Sequence, residues 1–298
     1  MKLLATASLA SIAASSLLLA SAPCAAEESI ADAISGTERE PAELTEAPGR
    51  QWFHVSAMAD IESAYICRGY IWDARPYSAQ EVSGMADFED FGRFSATAWS
   101  MSSLSHSGNS SSQSRYAYAE VDYVLKYSVD VPITDGWRIQ NTIIRQWVTN
   151  PGYRDSHTSA DWQVMQLLHN PFVTPYWRLR YIHHPRQSAY WCVGARRTFE
   201  ILEGLDFTID FFGDLGDHRH YRVLYGPRDD GSRYHAGLQA LNLVFRLDYR
   251  LMDHVSVFAF LGEFCVVHRE ARDALKASSA KEAKRDLTYG GLGVAIDF

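Results

Sequence analysis

Charged residues at alternating positions are the first sign of chemistry in this sequence. Glu120 and Asp122 flank Val121, and Lys126 follows Leu125. Side chains two residues apart point to the same face of a β-strand, so such a stretch has one charged and one apolar face. Acids and bases that share a face could create a field for a passing solute, or they could pair with each other in a salt-bridge network.

The same alternation recurs along most of the chain. The acidic candidates are Asp60, Glu62, Glu120, Asp122, Asp130, Asp206, Asp210 and Asp214. The basic candidates are Arg68, Lys126, Arg138, Arg178, Arg180 and Arg196. As residues that line a pore we select Asp60, Glu62, Arg68, Glu120, Asp122, Lys126, Arg138, Arg178, Arg180, Arg196 and Asp210. Bases concentrate in 173–182 and 189–201, which predicts an asymmetric interior.

A hydrolytic site is the alternative chemistry. The segment His106-Ser107-Gly108-Asn109 resembles the His-x-Ser-Asn-Gly segment of outer-membrane phospholipases. In that family the serine follows the histidine by two residues, which places both side chains on one face of a strand. Here Gly108 occupies that position, and Ser107 would point the opposite way. A nucleophile must lie within hydrogen-bond reach of its base, so the sequence favours a Ser/Gly/Asn loop and no catalytic residue.

Metal-binding patterns are weak. His183, His184, His218 and His220 fall in or beside predicted loops without a cysteine or carboxylate at a fixed spacing, as a zinc site would require. The acidic run Asp214–Asp217 does not follow the spacing of a calcium loop. The remaining cysteines, Cys67, Cys192 and Cys265, form no C-x-x-C pair and are interpreted as small wall residues. We therefore expect no metal and no cofactor.

The elements that carry the charges are predicted to be long strands. In the first, Phe53, Val55 and Ile61 share one face, while Asp60 and Glu62 share the other. Strands that cross a membrane need about 9–11 residues, longer than the usual five or six of soluble sheets. About twelve such stretches are predicted, starting at Trp52 and then at 79–88, 93–104, 117–131, 137–148, 159–168, 173–182, 189–201, 206–214, 234–247, 255–266 and 286–298.

Short and long connections alternate between these strands. The predicted short turns are 89–92, 132–136, 169–171, 202–204 and 248–253, and the predicted longer loops are 69–78, 105–115, 149–158, 183–188, 216–233 and 268–285. The last loop is rich in Ala, Lys and Glu over 271–284, which predicts a short surface helix. Tight periplasmic turns and larger outer loops are typical of an up-and-down outer-membrane barrel. We therefore predict an all-β fold, a single antiparallel transmembrane β-barrel.

The N-terminal region predicts export. Lys2 precedes an apolar run and a small-residue stretch that ends near Ala26, which together predict a signal peptide over 1–26. Residues 27–49 are rich in Glu, Ala, Ser and Pro and predict a disordered periplasmic leader, so that the barrel comprises 50–298. No later run of about 18 apolar residues predicts a membrane-spanning helix. The net charge of -8 argues against nucleic acid as a partner.

The C-terminus predicts the cellular location. Phe298, Ile296 and Val294 share one face of the final strand. A terminal aromatic residue with apolar residues at every second position before it resembles the signal that outer-membrane assembly machinery recognises. We therefore expect the barrel-assembly machinery and outer-membrane lipid as partners and the cell outer membrane as the location. The final strand should close the barrel against the strand that begins near Trp52.

A family resemblance lies in the first half of the barrel. Ser63–Gly69 contains a Tyr-x-x-Arg-Gly motif formed by Tyr65, Arg68 and Gly69, and a later strand contains Glu-x-Asp-x-x-x-x-Tyr, starting at Glu120. These motifs resemble the TorF-like family of outer-membrane porins over about residues 53–130. Cys67 departs from the bulky residue that is more usual there. The resemblance implies a small outer-membrane pore of unestablished substrate and no catalytic site.

The sequence therefore favours a porin-like channel for the passive diffusion of small hydrophilic solutes. The alternatives are a barrel enzyme that hydrolyses lipid or peptide, and a structural or adhesion barrel that binds through its loops. The charged interior leaves two states open, a hydrated pore and a plugged barrel with paired charges. Twelve strands do not decide between these states, because their lumen lies between that of filled eight-stranded barrels and open sixteen-stranded porins.

Overall fold

The computed structural model describes residues 52–67, 69–104, 120–149, 158–184, 187–228, 230–277 and 284–298. The strands are β1 (Phe53–Glu62), β2 (Tyr65–Cys67), β3 (Tyr70–Asp73), β4 (Tyr77–Asp87), β5 (Arg93–Ser103), β6 (Glu120–Thr134), β7 (Trp137–Thr149), β8 (Thr158–His169), β9 (Thr174–His184), β10 (Ser188–Leu202), β11 (Leu205–Gly216), β12 (Gly237–Met252), β13 (Val255–Val266) and β14 (Asp286–Asp297). The helices are a 3-10 turn (Glu89–Phe91), α1 (His218–Tyr225) and α2 (Arg269–Ala277). The predicted signal peptide and leader lie outside the described residues.

Twelve of these strands form a closed antiparallel barrel in the order β1-β14-β13-β12-β11-β10-β9-β8-β7-β6-β5-β4. Closure occurs between β14 and β1, where Ser56 pairs with Asp297 and Glu62 pairs with Gly291. Val55 and Phe298 exchange two backbone hydrogen bonds, of 3.0 and 2.8 Å, just beyond that ladder. The predicted fold class and the predicted pairing of the last strand with the first are confirmed.

The two faces of the barrel wall differ in polarity, because polar and apolar side chains alternate along each strand. Large apolar side chains stand exposed on the outside at mid-strand, among them Val82, Tyr123, Phe211, Leu261 and Leu292. Acids, bases and amides lie buried on the inside. Hydrocarbon offers no water to unpaired backbone groups, so a closed wall with an apolar outer band is the arrangement that membranes accept. We therefore assign the barrel to the outer membrane.

Several predicted connections were wrong in their bounds. The predicted turn at 132–136 is shorter, since β6 continues to Thr134 through an irregularity at Pro132. A bulge accommodates a proline that cannot donate to the ladder. The turn itself is Asp135-Gly136, and Gly136 has a φ of 74°, which favours glycine. Likewise β12 extends to Met252, so that it includes most of the predicted turn at 248–253.

The longer connections gather at the end opposite to the chain termini, and three of them are structured. The prediction of an irregular loop at 69–78 was wrong, because this segment contains β3 and the start of β4. Strands β2 and β3 pair with each other as a separate hairpin. The predicted loop 216–233 contains α1, which the sequence pattern did not reveal. The predicted surface helix is present as α2. None of the described helices is long and apolar enough to cross a membrane.

Candidate functional site

The hairpin formed by β2 and β3 folds into the barrel and spans its interior. On one side Tyr65 donates a hydrogen bond from its hydroxyl to Glu120 Oε1 on β6, at 2.9 Å, and its ring stacks on Trp99 of β5. At the hairpin tip, Gln239 of β12 donates to the Gly69 carbonyl oxygen at 2.8 Å. Strands β5, β4, β1, β14 and β13 separate β6 from β12 on one side, and β7 to β11 separate them on the other. The hairpin therefore connects opposite walls.

The tip of the hairpin requires a residue without a side chain. Gly69 has a φ of +69°, and a Cβ there would lie 2.9 Å from Gln239 Cδ and 3.1 Å from Asp214 Cβ. Both the backbone conformation and the close approach to the wall favour glycine. Ala64, Ile66 and Ile71 are buried with the apolar inner residues of β10 to β14. The hairpin thus fills much of the outer half of the lumen.

A ladder of polar side chains lines the wall on one side of the hairpin. Gln146 on β7 donates to Asp122 Oδ2 at 2.6 Å and accepts from Gln163 Nε2 at 2.8 Å. Arg180 on β9 also donates to the Gln146 amide oxygen, and its Nε lies 3.5 Å from Asp161 Oδ2. Every member of the ladder is almost completely buried. Buried charges are tolerated when they are paired and hydrogen-bonded, and this ladder meets that condition across four strands.

Further acids on the inner wall are held by neutral donors. Tyr176 donates to Asp210 Oδ1 at 2.9 Å. Tyr190 donates to Asp214 Oδ1 at 2.5 Å, and Asn242 donates to Asp214 Oδ2 at 2.8 Å. These bonds fix the carboxylates of β11 in place.

The remaining buried acids stand on β1. Asp60 and Glu62 are 6% and 2% exposed and lie two residues apart on the inner face. Strands β14 to β10 separate β1 from β9 on one side, and β4 to β8 separate them on the other. Arg178 and Arg180 on β9 therefore stand on the wall opposite to the two acids.

The other predicted lining residues lie nearer to the end with the short turns. Lys126 and Arg196 are half-buried on the inner face, and Arg196 faces Asp210 in the β10–β11 register. Arg138 Nε lies 3.5 Å from Asp130 Oδ2. Arg68 lies outside the described residues. The predicted residues that the structure describes thus lie on the inner side of the wall, distributed over its full depth.

Some functional candidates were missed from the sequence. Gln146, Gln163 and Asp161 share the inner face with the charges but were not predicted. The two glutamines carry no formal charge, and Asp161 stands close to the start of the predicted strand 159–168. Tyr65 was quoted for its motif alone. Gln140 and Thr142 share one face of the strand with Gln146, and this polar face was the signal that could have found the glutamine of β7.

The outer mouth is covered by the two helices. Tyr221 of α1 is buried, donates to the Gly237 carbonyl oxygen at 2.7 Å and stacks on His268 at 4.4 Å between ring centres. Burial lowers the pKa of His268 below the usual histidine value, because the charged ring would lose water. Tyr225 of α1 meets Tyr70 of the hairpin edge to face at 5.5 Å. Helices α1 and α2 thus form a cap over the outer mouth, and α1 packs directly on the hairpin.

Metal and cysteine chemistry find no support in the part of the chain that the structure describes. That part contains no group of three or more His, Cys, Asp or Glu side chains placed to hold a metal ion. Cys192 is a free buried residue of the inner wall and Cys265 is free and half-buried. The His106–Asn109 segment lies outside the described residues.

No family model and no curated protein matches the sequence. Solved structures with a similar barrel include the KdgM porin in complex with disordered oligogalacturonate, at 8% identity, TM-score 0.46, over 82% of this chain and 99% of that chain. They also include an outer membrane channel from Pseudomonas putida F1, at 11% identity, TM-score 0.47, over 86% and 98%. Outer membrane phospholipase A from Escherichia coli is similar at 12% identity, TM-score 0.43, over 82% and 92%. A likeness at this level does not distinguish a channel from an enzyme.

Proposed function

We propose that the protein is a porin-like outer-membrane channel for the passive diffusion of small hydrophilic solutes. One observation carries the proposal: the interior of a closed membrane barrel is lined by charged and amide side chains, and the hairpin of β2 and β3 crosses it. Lumen electrostatics and width are the properties by which pores select solutes. The eleven selected residues, from Asp60 to Asp210, are proposed as its lining.

The exposure of the inner wall changes along the barrel. Lys126, Arg138 and Arg196 are partly exposed toward the end with the short turns, whereas Asp122 and Arg180 beside the hairpin are buried. We propose that the hairpin forms the constriction of the channel.

A resemblance to TorF-like porins fits this role of the hairpin. The motif residues Tyr65 and Gly69 are the two points at which the hairpin attaches to opposite walls. We propose membership of that family on this basis.

A barrel hydrolase is the second candidate, and its sequence support is confined to 106–109. The departure at Gly108 separates His106 from a serine on the same face. In the ladder and on β11, the carboxylates of the inner wall accept hydrogen bonds or ion pairs from tyrosine, amide and guanidinium groups. Such partners are expected where the carboxylates have a structural role. We therefore favour the channel.

Conductance of the purified barrel in planar lipid bilayers tests the proposal. We expect discrete current steps that scale with salt concentration. Absence of current at every salt concentration, with a folded barrel verified by its heat-modifiable gel mobility, would reject a channel. Release of free fatty acid from phospholipid vesicles by the same preparation would instead support the hydrolase.

A further inference from the structure

We propose that Arg145 and the two tryptophans beside it, Trp147 and Trp162, form a site on the outer wall of the barrel that binds the phosphate group of an outer-leaflet lipid. The lipid is of the lipid A class, whose headgroup carries phosphate. The site lies on the face of the wall opposite to the lumen, so it is independent of whether the channel conducts.

Arg145 is a basic side chain on the lipid-facing side of the barrel. It lies on β7 between Gln146, which is buried on the inner face, and the exposed outer-face position of Ile143. Alternation along the strand therefore points Arg145 outward. It precedes the end of β7 at Thr149, which is the end of the barrel with the longer connections. A charge that faces lipid is unfavourable unless it reaches water or a partner of opposite sign.

Aromatic side chains mark the level at which Arg145 stands. In the β7–β8 ladder Arg145 lies opposite Trp162, and in the β8–β9 ladder Trp162 lies opposite Tyr181. Trp147 lies opposite Tyr123 in the β6–β7 ladder. All four rings belong to outward positions of their strands. Tryptophan and tyrosine concentrate at the level of the lipid headgroups, so Arg145 stands where headgroup phosphates lie.

The two tryptophans hold the guanidinium in place. Arg145 Cζ lies 5.0 Å from the ring centre of Trp147 and 5.0 Å from that of Trp162. Its Nη1 donates to the backbone carbonyl oxygen of Asp161 at 3.2 Å. A planar guanidinium presents its N–H groups as a fork that matches a phosphate group. Because this fork is ordered before the lipid arrives, less entropy is lost on binding.

The protein neighbours of Arg145 leave donors available for such a ligand. His183 Nδ1 lies 3.3 Å from Nη1 and His183 Nε2 lies 3.2 Å from Nη2, but a neutral imidazole accepts through one nitrogen alone. Together with the Asp161 carbonyl oxygen, the ring therefore occupies at most two of the five N–H groups of a guanidinium.

The charge of Arg145 also lacks a carboxylate in contact with it. The Asp161 carboxylate attracts Arg145 through space, but it lies on the inner face of the wall and is paired with Arg180. Among the described residues, no other carboxylate interacts with Arg145. An anionic headgroup can therefore supply the negative charge that the outer face does not provide.

The wall beside Arg145 suits the acyl chains of the same lipid. Leu125 lies opposite Arg145 across the β6–β7 ladder, and Ile143 follows on β7 toward mid-height. These side chains are 37% and 41% exposed, so acyl chains can lie on them while the phosphate binds Arg145. Because the site stands at the end with the longer connections, the lipid belongs to the outer leaflet.

The test is native mass spectrometry of the folded, detergent-solubilised barrel titrated with lipid A. We expect R145Q to bind lipid A about tenfold more weakly than the wild type, because charge-assisted hydrogen bonds are lost. The matched control is R197Q. Arg197 also points outward, but it lies over Phe199 near the short-turn end and donates to the Pro171 carbonyl oxygen, so R197Q should keep the wild-type affinity. Folding of each variant is checked by heat-modifiable gel mobility.

A second measurement on the wild-type protein needs no variant. Dephosphorylated lipid A should bind about tenfold more weakly than lipid A, because it lacks the group that Arg145 recognises. Equal binding of the two lipids overturns the site. So does an unchanged affinity of R145Q, or an equal loss of affinity in R145Q and R197Q. None of these outcomes bears on conductance through the lumen.

Discussion

Tyr65 donates a hydrogen bond to Glu120 at 2.9 Å, although the two residues are 55 positions apart in the chain. This bond ties the inward hairpin to β6. Together with the bond from Gln239 to Gly69 at the tip, it holds the hairpin across the lumen.

Removal of the Tyr65 hydroxyl should release the hairpin from one wall. A hydrogen bond to a charged acceptor contributes about 1.5–3 kcal/mol, so the variant Y65F should populate wider states and show larger or more frequent current steps in planar bilayers. The variant Y249F makes the same chemical change on the exposed outer surface and should behave as wild type. Equal conductance of Y65F and Y249F would contradict a constriction by the hairpin.

Loss of Arg180 should destabilise the barrel. Its replacement by methionine leaves the buried Asp161 carboxylate without its ion pair, at a cost of about 3–5 kcal/mol. The variant R180M should therefore unfold at a lower urea concentration, as measured by tryptophan fluorescence. The double variant R180M/D161N should regain part of the loss, because it removes the uncompensated charge; a double variant less stable than R180M would argue against the pair.

The terminal residue Phe298 should govern assembly. It exchanges two backbone hydrogen bonds with Val55 and stacks on His254 at 5.5 Å between ring centres. Deletion of Phe298 should reduce the folded fraction in outer-membrane preparations, as measured by heat-modifiable gel mobility, whereas F298Y should keep it. Normal assembly after the deletion would remove the proposed role of this residue as an assembly signal.

A charge at mid-height on the outer wall should weaken the barrel. Leu261 is exposed there in the middle of β13, and an arginine at the bilayer midplane costs about 2–4 kcal/mol. Ile201 is also exposed but stands near the periplasmic end of β10, where the cost is about 0–1 kcal/mol. In equilibrium unfolding from lipid vesicles, the free energy of unfolding of L261R should be lower than that of I201R. Equal losses of stability would mean that the hydrocarbon layer is not centred on the height of Leu261.

Acid should loosen the outer cap. Burial holds the pKa of His268 below its ordinary value of 6.5, although the charge of Glu270 and a hydrogen bond with the His235 backbone oppose the shift. The unfolded state therefore binds the proton first, and the contribution of the neutral ring to stability is present above pH 6.5 and is lost as the pH falls below it. The protection factors of α1 and α2 in hydrogen exchange, which correct for the slower intrinsic exchange in acid, should fall between pH 7.5 and 5 in the wild type and change less in H268Q.

Much of the wall could be predicted from the sequence. The alternation of Val55 and Ile61 with Asp60 and Glu62 decided which face of β1 is apolar, because side chains alternate strictly along an extended backbone. The apolar face that ends at Phe298 marked the last strand in the same way. Closure followed, since a membrane excludes open sheet edges.

The contents of the lumen were decided by the tertiary structure alone. No local pattern shows that the segment around Gly69 turns inward to Gln239, because the contact depends on a wall residue that closure brings near it. The ladder from Asp122 through Gln146 to Arg180 depends in turn on the register of β6 to β9. Periodicity fixes the direction of each side chain along one strand, whereas partners across strands and across the lumen arise only when the sheet closes.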